Sequence, residues 1–174
     1  MTIYTRQGDC GQTQLCDGIP IFKDAPVLEA CGTLDELGAA LGLARCEPLP
    51  GEMNRLLKGI QGNLIRMNGE LAGPAPGGDS CGAVGPAEVE GLEAAIDDCQ
   101  GHLEPLLAFV LPGAARTEAA LHFARTVCRR AERRVVALGR VEPQRVAEHH
   151  IIYLNRLSDL LFVLARCAAT SRSA

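Results

Sequence analysis

Residues 151–168 read IIYLNRLSDLLFVLARCA, and apolar side chains recur in this stretch at three- and four-residue steps. That period is typical of an amphipathic helix that buries one face. Arg156, Asp159 and Arg166 interrupt the run, so it falls short of the roughly 18 consecutive apolar residues that a membrane span needs. The stretch therefore predicts a helix of a globular bundle and no membrane partner. Its expected core stripe is Ile151, Leu154, Leu157, Leu161, Leu164 and Ala168.

Similar apolar periods upstream predict four more helices, and the fifth helix is expected to extend back to about Pro143. The four are expected from 27 to the prolines at 48 and 50, and over about 53–72, 86–101 and 117–138. Glycines and prolines in 73–85 predict a loop, and FVLPGAA at 109–115 predicts a short apolar turn. No strand alternation of useful length is present. Long helices on short connections indicate an antiparallel bundle.

The whole chain, 1–174, is expected to form a single domain, because its length supports one core of ordinary size. Residues 1–26 show no helical period and are expected to form a loop segment. Residues 27–169 are expected to form the helical bundle, and 170–174 a frayed tail.

The composition excludes several classes of function. The formal net charge is −4 and the chain has no Trp, so a nucleic-acid partner is not expected. The first residues lack the apolar core of a signal peptide, so a cytoplasmic location is expected. The eight Cys are scattered without a CxxC pair, which favours reduced thiols over disulfides or a zinc site.

An arginine cluster in the fourth predicted helix is the strongest candidate for chemistry. Five of the 15 Arg lie between Arg125 and Arg134, in the sequence ALHFARTVCRRAERR at 120–134. Helical spacing puts Arg125, Arg129, Glu132 and Arg133 on one stripe, with Arg130 and Arg134 on the next. One interpretation is a solvated face with Glu–Arg pairs. The other is a site for polyphosphate or for a partner's carboxylates, which guanidinium groups bind well.

Four weaker candidates lie elsewhere. The loop TRQGDCGQT at 5–13 has two glycines whose backbone N–H groups could cradle phosphate, although on this evidence alone an ordinary turn before a helix is the better explanation. Asn155 lies in an otherwise apolar stripe and needs a hydrogen-bond partner. Asp35 is either solvated or a partner for an Arg of a neighbouring chain. Phe109 precedes a Pro-Gly turn, and such a side chain is usually a core plug.

Six blocks of the sequence resemble the PduO-type ATP:cob(I)alamin adenosyltransferases. They occur in family order and cover most of the chain apart from 46–56 and 73–105. They read IYTRQGDCGQT, KDAPVLEACGTLDEL, IQGNLIRMNGELA, FVLPGAA, ALHFARTVCRRAERRVVAL and YLNRLSDLLFVLARC. The resemblance implies an all-α, five-helix antiparallel bundle of the ferritin-like, adenosyltransferase-like type, with an N-terminal phosphate-binding loop segment. It also implies a homotrimer that binds its substrates near subunit interfaces.

The resemblance also implies a reaction. Cob(I)alamin attacks the 5′ carbon of ATP, triphosphate leaves with Mg²⁺ bound, and adenosylcobalamin forms. Such a protein positions its substrates and balances charge rather than moving protons. A corrinoid reductase or an adenosylcobalamin-dependent acceptor enzyme is a further partner that the resemblance implies.

Matching positions carry the implied roles. Phe109 is implied to lie under the corrin, where its ring would exclude a lower axial ligand; this replaces the interpretation as a core plug. Arg125 is implied to pair with an acid such as Asp35 across the subunit boundary. Glu132 matches the Mg²⁺ region. The implied catalytic set is Phe109, Arg125, Arg129 and Asp35, and the implied nucleotide-binding set is Thr5, Gly8, Asp9, Gly11, Thr13, Lys23, Arg129, Glu132 and Asn155.

The chain departs from the family pattern at three positions. Gln7 and Cys10 replace a Thr and a Lys that are common in the family's loop, and Ala114 replaces a second Gly after FVLP. The substituted loop at Gln7 and Cys10 motivates an alternative function, a non-enzymatic corrinoid carrier or sensor that kept the bundle but lost turnover. A purely structural helical bundle is the third hypothesis.

Overall fold

A computed structural model of the chain describes residues 4, 6, 8–15, 18–73 and 83–170. Two short strands precede five long helices, and these helices confirm the predicted all-α bundle. The strands are β1 (Gln12–Gln14) and β2 (Pro20–Phe22). The helices are α1 (Pro26–Arg45), α2 (Gly51–Ala72), α3 (Pro86–Gln100), α4 (Arg116–Val141) and α5 (Glu148–Thr170).

The five helices share one apolar core. α4 packs against both α1 and α5, while α2 packs on α1 and α3 packs on α5. The predicted α5 stripe is confirmed: Leu154, Leu157 and Leu161 are fully buried, and they meet Leu121 and Leu138 of α4 in the same cluster. None of the described helices combines the length and the apolarity that crossing a bilayer requires.

Proline fixes where two helices begin. Pro26 and Pro86 occupy the first helical turn, where a missing N–H leaves no hydrogen bond unmade. At α3 the Glu88 side chain also accepts the Gly85 N–H at 2.9 Å. That hydrogen bond, followed by the one from Arg66, lowers the pKa of Glu88.

The predicted start of the fifth helix at about Pro143 is wrong. Residues Pro143–Arg145 form a short 3₁₀ turn, and α5 begins at Glu148. Arg145 explains the break: its guanidinium donates to the Leu71 and Ala72 carbonyls at 3.2 and 3.3 Å. These carbonyls at the end of α2 lack intrahelical partners, and the Arg145 side chain satisfies them.

The β1–β2 hairpin was not expected from the sequence. Its strands pair antiparallel, with Gln12 opposite Phe22 and Gln14 opposite Pro20. Strands of three residues are too short to show a period-two pattern. The predicted tail beyond Thr170, and most of the predicted loop at 73–85, lie outside the described residues.

Candidate functional site

The hairpin brings Lys23 back to the predicted phosphate loop. The Lys23 N–H donates to the Gly11 carbonyl at 2.9 Å, and the Gly11 N–H contacts the Gly8 carbonyl at 3.3 Å. A Cβ on Gly8 would lie 2.9 Å from Lys23 Nζ, so the ammonium group packs directly against the backbone of this glycine. The structure therefore brings together three predicted positions, Gly8, Gly11 and Lys23.

Other predicted positions in this segment are placed less decisively. Asp9 is exposed and Thr13 is half-buried in β1, and neither forms a side-chain hydrogen bond with a described residue. Thr5 and Gln7 lie outside the described residues.

Acids of α1 neutralise part of the arginine cluster. Arg130 forms an ion pair with Glu36, and Arg134 pairs with Glu29 at 3.1 Å. All four side chains are about half exposed, so each pair contributes little to stability. The interpretation as a solvated, paired face is therefore correct for this stripe. Arg129, on the neighbouring stripe, has no ion-pair partner in the described part of the chain.

A cavity of about 590 Å³ lies between α3, α4 and α5. Arg125 and Arg129 of α4 line it together with Arg156 of α5. Acidic side chains of α3 and α5 also line the cavity, and Arg156 Nε is 2.7 Å from Glu93 Oε1. The remaining lining residues are Ile96, Asp97, Gln100, Ser158, Asp159, Phe162 and Val163. The three guanidinium groups are matched in number by the carboxylates of Glu93, Asp97 and Asp159, but among the described residues Arg156–Glu93 is the one lining pair in ion-pair contact. An anionic ligand that enters this cavity therefore meets two guanidinium groups, Arg125 and Arg129, that no described carboxylate contacts.

The Arg125 side chain is oriented from within its own helix. Its Nε donates to His122 Nδ1 at 3.3 Å, and His122 packs at a tilt against Phe162 with ring centroids 5.9 Å apart. Burial lowers the pKa of His122; Arg125 lowers it further, and Glu118 opposes the shift. His122 is therefore neutral at neutral pH, as an acceptor for Arg125 must be.

Phe109 is fully exposed, so the core-plug interpretation from local sequence is wrong. Leu107 and Leu111 flank it and are also exposed, which leaves an apolar ridge at 107–111. Apolar side chains clustered in this way on a surface are typical of a ligand or partner site. Exposure agrees with what the resemblance implies for Phe109.

A family model described as cobalamin adenosyltransferase matches residues 3–168. The chain belongs to the cobalamin adenosyltransferase family. It is 44% identical to the corrinoid adenosyltransferase PduO of Citrobacter freundii over 172 residues, which cover 95% of this chain and 49% of that protein. The cobalamin adenosyltransferase of Cupriavidus metallidurans is 43% identical over 94% of this chain and 86% of that one. The chain spans about half the length of the PduO relatives it matches.

Solved structures give the same family. A phenylalanine-to-alanine variant of a PduO-type ATP:corrinoid adenosyltransferase from Lactobacillus reuteri, complexed with cobalamin and ATP, superposes with a TM-score of 0.88. It is 32% identical in sequence, over 99% of this chain and 96% of that one. An arginine-to-lysine variant of the Lactobacillus reuteri protein, complexed with ATP, also gives a TM-score of 0.88.

Within the adenosyltransferase bundle, three predicted residues lie away from the cavity. Asp35 is exposed on α1, where its Oδ1 accepts a hydrogen bond from Asn68 at 2.8 Å, so within one chain it does not pair with Arg125. Glu132 is half-buried and Asn155 is exposed, and neither lines the cavity. Their roles stay predictions.

Sequence reasoning missed several residues in and around the cavity. Glu93 and Asp97 are four residues apart on α3, which puts both on one face, but that helix lay outside the recognisable blocks. Glu118 and His122 were also missed. Their four-residue spacing on α4 was a signal, because two titratable groups on one face of a core helix need partners.

Removing the Phe109 ring should leave stability nearly unchanged, because the exposed side chain makes little core contact. We expect Phe109→Ala to change the free energy of unfolding by less than about 0.5 kcal/mol. The matched variant is Leu157→Ala, which empties a fully buried site and should cost about 2–5 kcal/mol. Urea denaturation at one protein concentration measures both. A loss for Phe109→Ala as large as that for Leu157→Ala would restore the core-plug interpretation.

The lowered pKa of His122 predicts a pH dependence of stability. In the unfolded chain His122 regains its ordinary pKa near 6.5, so its neutral burial stabilises the fold above that pH. This contribution is lost as the pH falls from 6.5 through the folded pKa, with a slope of at most about 1.4 kcal/mol per pH unit. The free energy of unfolding from pH 8 to pH 5 should fall less steeply in His122→Asn than in the wild type. The exposed His102→Asn is the control, and equal slopes in His122→Asn and the wild type contradict the prediction.

Proposed function

We propose that this chain transfers the 5′-deoxyadenosyl group of ATP to cob(I)alamin, forming adenosylcobalamin and releasing triphosphate. The observation that carries the proposal is the convergence of Arg125 and Arg129 on one cavity in a chain of the cobalamin adenosyltransferase family. The names of its relatives and the ATP and cobalamin in its structural neighbours support the same reaction.

The triphosphate is bound by cationic side chains that form no ion pair with a described acid. Arg129 pairs with no acid in the described part of the chain, and Arg125 is tied only to a neutral imidazole. Guanidinium forks match the oxygen geometry of phosphate and stay charged at every working pH. Lys23, held over Gly8, adds an ammonium group at the N-terminal loop.

Mg²⁺ would be held jointly by the protein and by the phosphate groups of the substrate. No cluster of three or more His, Cys, Asp or Glu side chains suited to a metal occurs among the described residues. Mg²⁺ commonly takes one or two carboxylates and completes its shell with phosphate oxygens and water. Glu132, one turn from Arg129, would be the single protein ligand, and the bound ion would neutralise phosphate charge.

The chemical step needs placement more than proton transfer. The cobalt electron pair forms the Co–C bond to the 5′ carbon, and the C–O bond breaks with its pair going to the departing triphosphate. Because no proton moves in this step, the protein's contribution is alignment of cobalt, carbon and leaving oxygen. Phe109, on its exposed apolar ridge, would face the corrin and exclude a lower axial ligand.

The assembly and its surroundings are part of the proposal. A homotrimer would place Asp35 of one subunit against Arg125 of the next, which explains why neither finds the other within one chain. Asn155 would contact the nucleotide from α5. A cytoplasmic location would give access to a corrinoid reductase and to an adenosylcobalamin-dependent acceptor enzyme.

The direct test supplies the chain with ATP, Mg²⁺ and chemically reduced cobalamin and measures formation of a light-sensitive Co–C product. We expect Arg129→Ala to raise the KM for ATP roughly ten- to hundredfold, because it removes charge-assisted hydrogen bonds to phosphate. Arg140→Ala, an exposed site on the same helix, is the matched control. No conversion above the protein-free rate would exclude the reaction. Unchanged ATP affinity in a folded Arg129→Ala variant would exclude the site.

The carrier or sensor alternative makes the opposite prediction for position 10. If the missing loop Lys abolished turnover, Cys10→Lys should raise a very low rate. We expect instead a high wild-type rate that Cys10→Lys changes by less than about threefold, because the Lys23 ammonium already lies at this loop. Cys10→Ser separates the effect of the thiol from that of the charge. A tenfold gain with Cys10→Lys alone would favour the alternative.

A further inference from the structure

Glu118 and His122 are buried titratable residues that the proposed reaction does not use. They lie one turn apart near the start of α4, and their side chains are 1% and 3% exposed. Burying two such groups is costly unless each is paired and hydrogen-bonded. Their contacts therefore need an explanation.

The contacts form a continuous series that runs from the loop at 109–113, here called the Phe109 loop, to the cavity. The Gly113 N–H donates to Glu118 Oε2 at 2.9 Å. Glu118 Oε1 lies 3.1 Å from His122 Nε2, and His122 Nδ1 accepts from Arg125 Nε at 3.3 Å. One end holds the turn that follows Phe109, and the other holds a guanidinium that lines the cavity.

The donors and acceptors in this series of contacts have a fixed direction. Arg125 Nε is always a donor, so His122 Nδ1 must be the acceptor and Nε2 must carry the proton. Glu118 therefore faces two N–H groups, one from Gly113 and one from His122. A carboxylate has an acceptor oxygen for each, whereas an amide has only one.

A second buried pair shows what a purely structural version looks like. Glu70 Oε2 is 2.8 Å from His150 Nε2, Glu70 Oε1 accepts the Val84 N–H, and His150 Nδ1 accepts the Ala147 N–H. Every polar atom in that pair is satisfied. In the other pair, Glu118 Oε1 and His122 Nε2 lie close but are too poorly aligned to form a hydrogen bond, and both are fully buried.

That misalignment has a stability cost. A buried polar atom without a hydrogen bond costs about 1–3 kcal/mol, so an apolar pair would serve a merely structural role better. Contacts at reaction sites are often loose before substrate binds and tighten in the complex.

We propose that Glu118 and His122 are positioning residues that hold the Phe109 loop in register with the Arg125 guanidinium. The proposal rests on the proposed function, because that function gives the loop to the corrinoid and the guanidinium to ATP. Coupled in this way, the two substrates are aligned by one buried pair that touches neither.

The first test needs no substrate. Arg125→Ala removes the guanidinium at the cavity end of these contacts. We expect amide hydrogen exchange at Gly113, whose N–H donates to Glu118, to become at least about threefold faster, since local opening controls exchange. Arg140→Ala is the control on the same helix. Faster exchange specific to Arg125→Ala supports the coupling. Acceleration below threefold, or equal in both variants, overturns it.

The second test measures the effect on ATP binding, at the Arg125 end of the contacts. Glu118→Gln can still accept the Gly113 N–H, but its NH₂ then faces His122 Nε2 and forces the tautomer that cannot accept from Arg125. We expect the KM for ATP to rise at least about threefold over the wild type, and exchange at Gly113 to accelerate as in Arg125→Ala, because both variants break the contact between His122 and Arg125. Glu70→Gln, the same substitution in the complete pair, is the control for stability. A rise below threefold, or an equal rise in Glu70→Gln, overturns the proposal.

A third variant tests the proposal even if Glu118→Gln fails to fold. His122→Asn offers an amide oxygen to Arg125 but loses the group facing Glu118, so loop exchange should accelerate while the KM for ATP stays near that of the wild type. Unchanged loop exchange overturns the proposal. If the wild type forms no Co–C product, the proposed function fails by itself. The exchange measurements then still decide whether the loop and Arg125 are coupled.

Discussion

The packing of α4 between α1 and α5 is the constraint on which the rest of the structure depends. Leu121, Ala131 and Leu138 are fully buried on one side of this helix, and that burial fixes its rotation. The arginines then have no freedom in where they emerge. Arg130 and Arg134 meet acids of α1, whereas Arg125 and Arg129 enter the space bounded by α3 and α5. The hydrophobic core thus sorts one charged cluster into a paired stripe and a stripe that faces the cavity.

The N-terminal segment adds a cation by a different physical route. Its described residues form no helix before α1, and their order comes from a hairpin and from hydrogen bonds between Lys23, Gly11 and Gly8. Gly11 adopts a φ of 81°, which a side chain would strain, and Gly8 leaves room for the Lys23 ammonium. Backbone geometry here does what core packing does for α4, because it places a charge that no acid in the described loop neutralises.

Apolar periodicity was enough to predict the five helices, since each buries a stripe that the sequence displays at steps of three and four. The hairpin could not be predicted because three-residue strands carry no period. The break before α5 escaped because it depends on Arg145 reaching the end of α2, a contact between residues more than 70 positions apart. Arg125 and Arg129 could be predicted as a ligand-facing pair only together with the family resemblance. Spacing alone does not show which of the arginines form ion pairs with acids of α1. Phe109 shows the limit most clearly, because a local rule for aromatic residues near turns gave the opposite of its exposure.

The proposed reaction moves no proton, yet it still benefits from control over protonation. Each guanidinium keeps its charge at every working pH, so the ligand-facing charge of α4 is constant. The residue behind Arg125 is a histidine, and burial keeps it neutral, so it can accept a hydrogen bond instead of repelling the arginine. A permanently charged group in its place would either repel Arg125 or neutralise it, and would weaken the phosphate binding that is proposed for it. A neutral imidazole orients the guanidinium and leaves its charge available to the cavity. Burial of His122 therefore contributes to the electrostatics of the cavity without lining it.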